Sequence, residues 1–370
     1  MTFRTRTGYG PARIGPAQIG PTRRQLLHGV GGALGASALS VMLDKQAGAQ
    51  TTAPGLDDWN DFKARFISGG RVIDTGNKGI SHSEGQGWGL FAAVFFRDEA
   101  TFDSLLQWTT RELRRPNDQL HAWRYMPGAA NPVADQNNAT DGDLFFASAL
   151  ARAARQWNRP ELQRQAEATT RDILRLTVRR LGNRTVLLPG ASGFEARDTV
   201  TLNPSYYVFP LFAELAQLVP SPLWAPLQSD GLELIANGRF GRWMLPPDWL
   251  AVSSKNETLE PAAGWPPRFS YDAIRVPLFL AWSRLGLPPI QESFTRYWSS
   301  FGSTPPAWIN LADGQVAPYE APTGMRNVAA FSSGQAAPDV RIWKVSEAQD
   351  YYSAGLTLLT NIARQENGHA

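Results

Sequence analysis

The sequence predicts an all-α protein in which an outer ring of helices closes around an inner one. Two observations lead there. From residue 56 onward, amphipathic helical stretches alternate with stretches that are apolar on nearly every side. The more apolar stretches begin roughly 55–80 residues apart, which is room for two helices and their loops. A wet helix followed by a buried one, repeated, packs most simply as two concentric layers. A helical solenoid or bundle is the alternative, but solenoid repeats are more uniform in length and sequence than these.

Residues 1–21 are rich in Gly, Pro and Arg and lead into Thr22-Arg23-Arg24-Gln25-Leu26-Leu27, followed by an apolar, small-residue stretch from Gly29 to Leu43. Paired arginines, a weakly hydrophobic core and Ala47-Gly48-Ala49 before Gln50 resemble a twin-arginine export signal with a small-residue cleavage site. The apolar run is too short and glycine-rich to span a bilayer, which needs roughly 20 residues. The expectation is a signal over residues 1–49, cleavage after Ala49, and a single domain over 50–370 released to the periplasm or medium without a membrane anchor.

Outer helices are expected at about 56–68, 99–114, 160–181, 222–238 and 290–300. In the third of these, Glu161, Arg164, Glu167, Arg171 and Arg175 space their charges around one face. Inner helices are expected to begin near Glu84, Thr140, Pro204, Tyr271 and Ala348. The stretch from Pro305 to Pro338 is irregular and yields no helix assignment.

Composition removes several kinds of chemistry. The net charge of +3 comes from the leader, which holds six basic residues and one acid, leaving 30 basic against 32 acidic residues over 50–370. A roughly neutral domain has no electrostatic footprint for nucleic acid. There is no cysteine and there are four histidines, of which only His82 and His121 lie within the domain away from its end. Thiolate chemistry is excluded, and a His-rich metal centre or His-dependent triad is not expected. What remains is carboxylate chemistry.

Several inner segments open on polar clusters: Ser83-Glu84-Gly85-Gln86-Gly87-Trp88-Gly89, Ala139-Thr140-Asp141-Gly142-Asp143, Asn203-Pro204-Ser205-Tyr206-Tyr207, Tyr271-Asp272-Ala273-Ile274-Arg275 and Gln349-Asp350-Tyr351-Tyr352. Parallel inner helices would bring these ends to one mouth. Asp141, Asp272 and Asp350 could each be a helix cap, which stabilises by about 0.5–2 kcal/mol. Capping leaves unexplained the glycines at 85, 87 and 89, read here as letting something approach the backbone. It also leaves unexplained the aromatic residues Trp88, Trp123, Tyr206, Tyr207, Trp265, Tyr271, Tyr351 and Tyr352 near the openings. Aromatic faces interleaved with acids in a cleft suit a neutral polysaccharide. Trp157 and Trp282, mid-helix or at a helix end, read as core.

At these residues the sequence resembles glycoside hydrolase family 8, over about 56–364. The most specific match is Asn138-Ala139-Thr140-Asp141-Gly142-Asp143-Leu144 with Ala147, Ala149, Leu150 and Trp157; the Glu84 and Tyr271-Asp272-Ala273-Ile274-Arg275-Val276-Pro277 segments match as well. The resemblance implies an (α/α)6 barrel of six inner and six outer helices, an endo-1,4-β-glucanase acting with inversion, and no metal or other cofactor. It implies Glu84 as proton donor, Asp272 as base, Asp141 binding and distorting the sugar at the scissile bond, and Arg275 ordering the base. Trp88, Trp123, Tyr206, Tyr271, Tyr351 and Tyr352 are the aromatic candidates for contact with a β-1,4-glucan. Family members that accompany bacterial cellulose synthesis make the cellulose synthase machinery an implied partner. A chitosanase, xylanase or mixed-linkage glucanase of the same family, a polysaccharide lyase, and a non-catalytic glycan-binding protein are the competing readings. A helix start and Arg275 are both expected to favour an ionised Asp272.

Overall fold

The computed structural model describes residues 55–286, 288–334 and 341–368. The paired arginines, the apolar leader stretch and the cleavage site lie outside the described residues. Eleven α-helices occur among those described: α1 (Leu56–Phe66), α2 (Ser83–Phe95), α3 (Glu99–Leu113), α4 (Thr140–Gln156), α5 (Pro160–Thr177), α6 (Phe209–Leu218), α7 (Trp224–Asn237), α8 (Arg275–Trp282), α9 (Pro288–Ser299), α10 (Thr323–Ser332) and α11 (Tyr351–Glu366).

Burial sorts them into two rings. In α4, 14 of 17 residues are buried, whereas α5 buries seven of 18 along one stripe. The inner helices follow one another as α2, α4, α6, α8, α10 and α11, and α11 returns to pack on α2. On their outer faces lie α3 against α2, α5 against α4, α7 against α6, α9 against α10, and α1 against α11. This is the (α/α)6 barrel, with six inner helices and, among the described residues, five of the six outer helices expected. Its axis is filled by aromatic side chains, with Phe91 against Phe145 and Trp282, and Phe145 against Phe279. Trp282 is buried with its indole N–H donating to Glu366, and Trp157 packs on Phe102, so both belong to the packing as the sequence indicates.

The departures from the expected boundaries have local causes. The third outer helix stops at Thr177, because Val178–Leu181 turns back on Arg184–Leu187 as a hairpin through Gly182 at φ 57°. Pro204 starts a one-turn 3-10 segment, and α6 begins only at Phe209, with Pro210 in its first turn. The inner helix expected at Tyr271 begins at Arg275, and residues 271–274 form a turn. Within the irregular 305–338 stretch sits α10, the inner helix that the sequence did not place. Its buried face carries Thr323, Asn327 and Ser332, so it lacks the apolar pattern of its neighbours. Asn327 satisfies itself by exchanging hydrogen bonds with the Trp343 backbone.

The glycines of α2 serve the protein's own packing, which corrects their reading as space for a ligand. A Cβ on Gly87 would stand 2.8 Å from the Gly142 carbonyl, one on Gly142 2.7 Å from the Glu84 amide nitrogen, and one on Gly85 would strike the Tyr351 ring. The starts of α2, α4 and α11 are thereby drawn together. Gly142→Ala should lower stability by about 1–3 kcal/mol, as overpacking against backbone does. A thermal unfolding midpoint equal to that of the unaltered protein would show that the helix starts are not so tightly joined.

Candidate active site

The inner helices point their first turns at one end of the barrel. Glu84 is the second residue of α2, Asp141 the second of α4, Arg275 the first of α8, and Tyr351 and Tyr352 open α11. Arg275 is the centre of the group, with 3% of its side chain exposed. One terminal nitrogen donates to Glu84. The other donates to Ser205 Oγ at 2.8 Å and Asp272 Oδ1 at 3.0 Å, and stands 3.5 Å from Asp141 Oδ2. The guanidinium also lies near the Trp88 and Tyr206 rings, 5.9 and 5.8 Å from their centroids.

The four residues assigned to chemistry and base ordering thus come together. Asp141 is fully buried; its Oδ1 accepts the Gly142 N–H from inside the helix rather than capping it. Burial pushes its carboxyl well above the usual range, Arg275 opposes this and the charge of Glu84 adds to it. Asp272 stands on the turn before α8 and is therefore not in a helix first turn. Burial at the cleft floor raises its proton affinity, against Arg275 and the side chains of Asn203 and Trp249, while the Glu84 charge adds to the rise. This corrects the expectation that helix start and arginine dominate: loss of water outweighs both. The side chain still keeps 31% exposure. Asp350 is an ordinary cap, accepting the Ser353 N–H. Asp143 anchors the preceding loop through the His121 backbone and ring and the Asn138 amide.

The aromatic candidates divide. Trp88 and Tyr351 are each 2% exposed and stacked on one another inside the barrel, so neither presents a face to a polymer. Both assignments are corrected: the turn that brings Glu84 to the mouth turns Trp88 inward against Phe145 and α11. Tyr206 and Tyr352 are half-buried at the cleft floor, and the Tyr352 hydroxyl donates to the Tyr271 carbonyl. Tyr271 is exposed and lies beside the exposed Tyr319. Trp123 is half-buried, held by its indole N–H on Asp135 at 2.7 Å and flanked by His82 and Arg124.

Sequence reasoning missed two neighbours, Asp248 and Trp249. In the three-stranded sheet of Thr199–Leu202, Leu250–Ser253 and Leu259–Pro261, Leu202 pairs with Leu250. Asn203 and Trp249 therefore leave the sheet side by side, beside Asp272. Trp249 stacks between Phe194 and Trp265, the latter 38% exposed. Asp248 accepts the Ser270 and Ala273 amides, and burial together with the Asp272 charge lifts it to about 7. The only sequence signal was an acid and a tryptophan after Pro246-Pro247, outside any helical pattern.

A helical toroid with opposed carboxylates at its mouth and aromatic faces along the approach defines a glycoside hydrolase. The comparisons agree. The family model for glycosyl hydrolases family 8 matches residues 33–366, and the chain belongs to that family. A probable endoglucanase of Novacetimonas hansenii is 46% identical over 310 residues, covering 83% of this chain and 90% of the relative. An endoglucanase of Cellulomonas uda is 40% identical over 301 residues, 80% of this chain and 81% of that one. The solved structure of endo-β-1,4-glucanase CMCax from Acetobacter xylinum superposes with a TM-score of 0.81 at 45% identity, covering 84% of this chain and 98% of that chain. Among the described residues no cluster of three or more His, Asp or Glu side chains is arranged to hold a metal ion, and no helix is long and apolar enough to cross a membrane.

The raised Asp248 has a signed consequence. Its folded carboxyl holds a proton up to about 7, against roughly 3.9 in the unfolded chain. The folded state therefore binds more protons between those values, and this contribution is full below about 4 and is lost as pH rises through about 7. Asp248→Asn removes that dependence. The thermal midpoint of the unaltered protein relative to the Asn variant should fall as pH rises from about 4 to 7 and level off above; a constant difference would contradict the raised carboxyl.

Proposed function

We propose that this glycoside hydrolase is an endo-1,4-β-glucanase that cuts cellulose-type chains with inversion, with Glu84 as general acid and Asp272 as general base. The observation that carries the reading is the gathering of Glu84, Asp141 and Asp272 around the Arg275 guanidinium at the floor of an aromatic-edged cleft. The named endoglucanase relatives, matched over most of their length, supply the substrate class.

In this mechanism Glu84 gives its proton to the departing glycosidic oxygen, and Asp272 draws a proton from a water attacking the opposite face of the sugar. The two carboxylates sit on different terminal nitrogens of one guanidinium, so Arg275 holds them apart. Inverting enzymes leave room for that water by separating the pair by roughly 6.5–9.5 Å. Asp141, buried and of high proton affinity, is placed to hydrogen-bond a sugar hydroxyl beside the scissile bond. Tyr206, Tyr271 and Tyr352, with Trp123 and the Trp249–Trp265 stack, offer ring faces or edges to successive glucose units. The same cleft would take a free glucan or one emerging from a cellulose synthase, since bond and ring faces are identical.

Glu84→Gln and Asp272→Asn should each lower kcat on carboxymethylcellulose by about 10²–10⁴-fold, the usual weight of a positioned acid or base, while leaving the fold intact. Near-normal turnover of either variant would dismiss the assignment. Proton NMR during the first minutes of cellohexaose cleavage should show the α-anomer at the new reducing end; a β-anomer would mean retention. Export with removal of residues 1–49 belongs to the same reading, and the exported protein should begin at Gln50 by N-terminal sequencing rather than at Met1.

A further inference from the structure

The base stands on a turn with no helix to hold it. Ser270 and Ala273 bracket Asp272, both are buried, and their amide hydrogens have no place in the α8 ladder, which begins at Arg275. Both point to one atom: Asp248 Oδ1, 3.0 Å from the Ser270 nitrogen and 2.8 Å from the Ala273 nitrogen. The Asp248 amide itself donates to the Arg268 carbonyl at 2.7 Å, tying the acid to the strand Arg268–Phe269 that leads into the turn. The turn closes on itself through Ile274 N–H to Ser270 and Arg275 N–H to Asp272. A single side chain thus satisfies the donors on both sides of the base, and an uncompensated pair would be costly in so buried a place.

We propose that Asp248 is a positioning residue for the base: by accepting the backbone hydrogens on either side of Asp272, it fixes where that carboxylate stands against the attacked carbon. The inference rests on the reading of Asp272 as general base. Displacing a reacting group by about 1 Å costs on the order of 10²-fold in rate. Loss of the clamp therefore appears in kcat, because the base acts on the water only in the transition state, and leaves binding of the glucan along the aromatic cleft unchanged.

Azide separates a misplaced base from a weakened fold. It attacks the anomeric carbon as an anion and needs no proton removed. The carbon–oxygen bond breaks with its electron pair going to the leaving oxygen, which takes the Glu84 proton, and the new bond is carbon to nitrogen. With cellohexaose, Asp272→Ala should be slow and accelerated by sodium azide, giving an α-glycosyl azide. Asp248→Ala should lose about 10–100-fold in kcat with KM within about two-fold, and azide should restore about ten-fold with the same product. Asp248→Asn keeps an acceptor oxygen and should stay within a few-fold of the unaltered enzyme. Should the alanine variant fail to fold, Asp248→Glu, which moves the acceptor by one methylene, should show the same loss and the same azide response. An Asp248→Ala or Asp248→Glu variant that is slow yet indifferent to azide, while Asp272→Ala responds, overturns the inference and leaves the base assignment standing. Full activity of Asp248→Ala, or Asp248→Asn as slow as Asp248→Ala, also overturns it. Asp272→Ala that does not respond removes the base assignment and this inference with it.

Discussion

One buried guanidinium cannot neutralise every carboxylate that faces it. Arg275 is held in its charged form, since burial disfavours the charge and the acids around it more than offset that. Three carboxylates meet it, and Asp248 lies behind Asp272. With all ionised, the pocket would carry a large unpaired negative charge in a place poor in water, which the energetics of buried charge forbid. The deepest acid yields first. Asp141, with no open side, is pushed well above the ordinary range, and Asp248 to about 7. Raised proton affinity at these two sites lessens the negative charge that one arginine must offset.

That arrangement depends on the barrel at a scale of tenths of an ångström. The acids come from α2, α4 and the turn before α8, and they share a guanidinium only because the helix starts nearly touch. Gly87 and Gly142 have no room for a methyl group between α2 and α4. Below them Phe91, Phe145, Phe279 and Trp282 fill the axis, so the first turns rest on a packed floor and not on a pore. The same residues that make the core set the level of the chemistry.

Much of this was legible in the chain. Alternation of wet and buried helices indicated two rings, polar clusters at the inner starts marked the acids gathered there, and the family resemblance singled out Glu84, Asp141, Asp272 and Arg275 among them. What could not be read follows from two limits. Burial of a polar residue leaves no trace in a hydropathy pattern, so α10, with Asn327 satisfied by the distant Trp343, stayed hidden. Aromatic type does not tell inward from outward, so Trp88 and Tyr351 passed for cleft residues although one turn of helix aims them into the core. Asp248 was invisible for a third reason, since its partners are backbone amides 22 and 25 residues away.

The placement of Asp272, the proposed base, on a turn bears on how strong a base it would be. Had α8 begun three residues earlier, the helix N-terminus would have added a partial positive charge to that of Arg275, and both would have lowered the proton affinity of Asp272. Starting the helix at Arg275 leaves the arginine and the Asn203 and Trp249 side chains on that side of the balance, and burial then prevails. A carboxylate of raised proton affinity takes a proton from water more readily. The Asp272 side chain keeps 31% exposure, so water can reach it. The irregular turn is therefore the feature that lets an acid beside a guanidinium remain basic, and the clamp beneath it is what makes an irregular turn rigid enough to use.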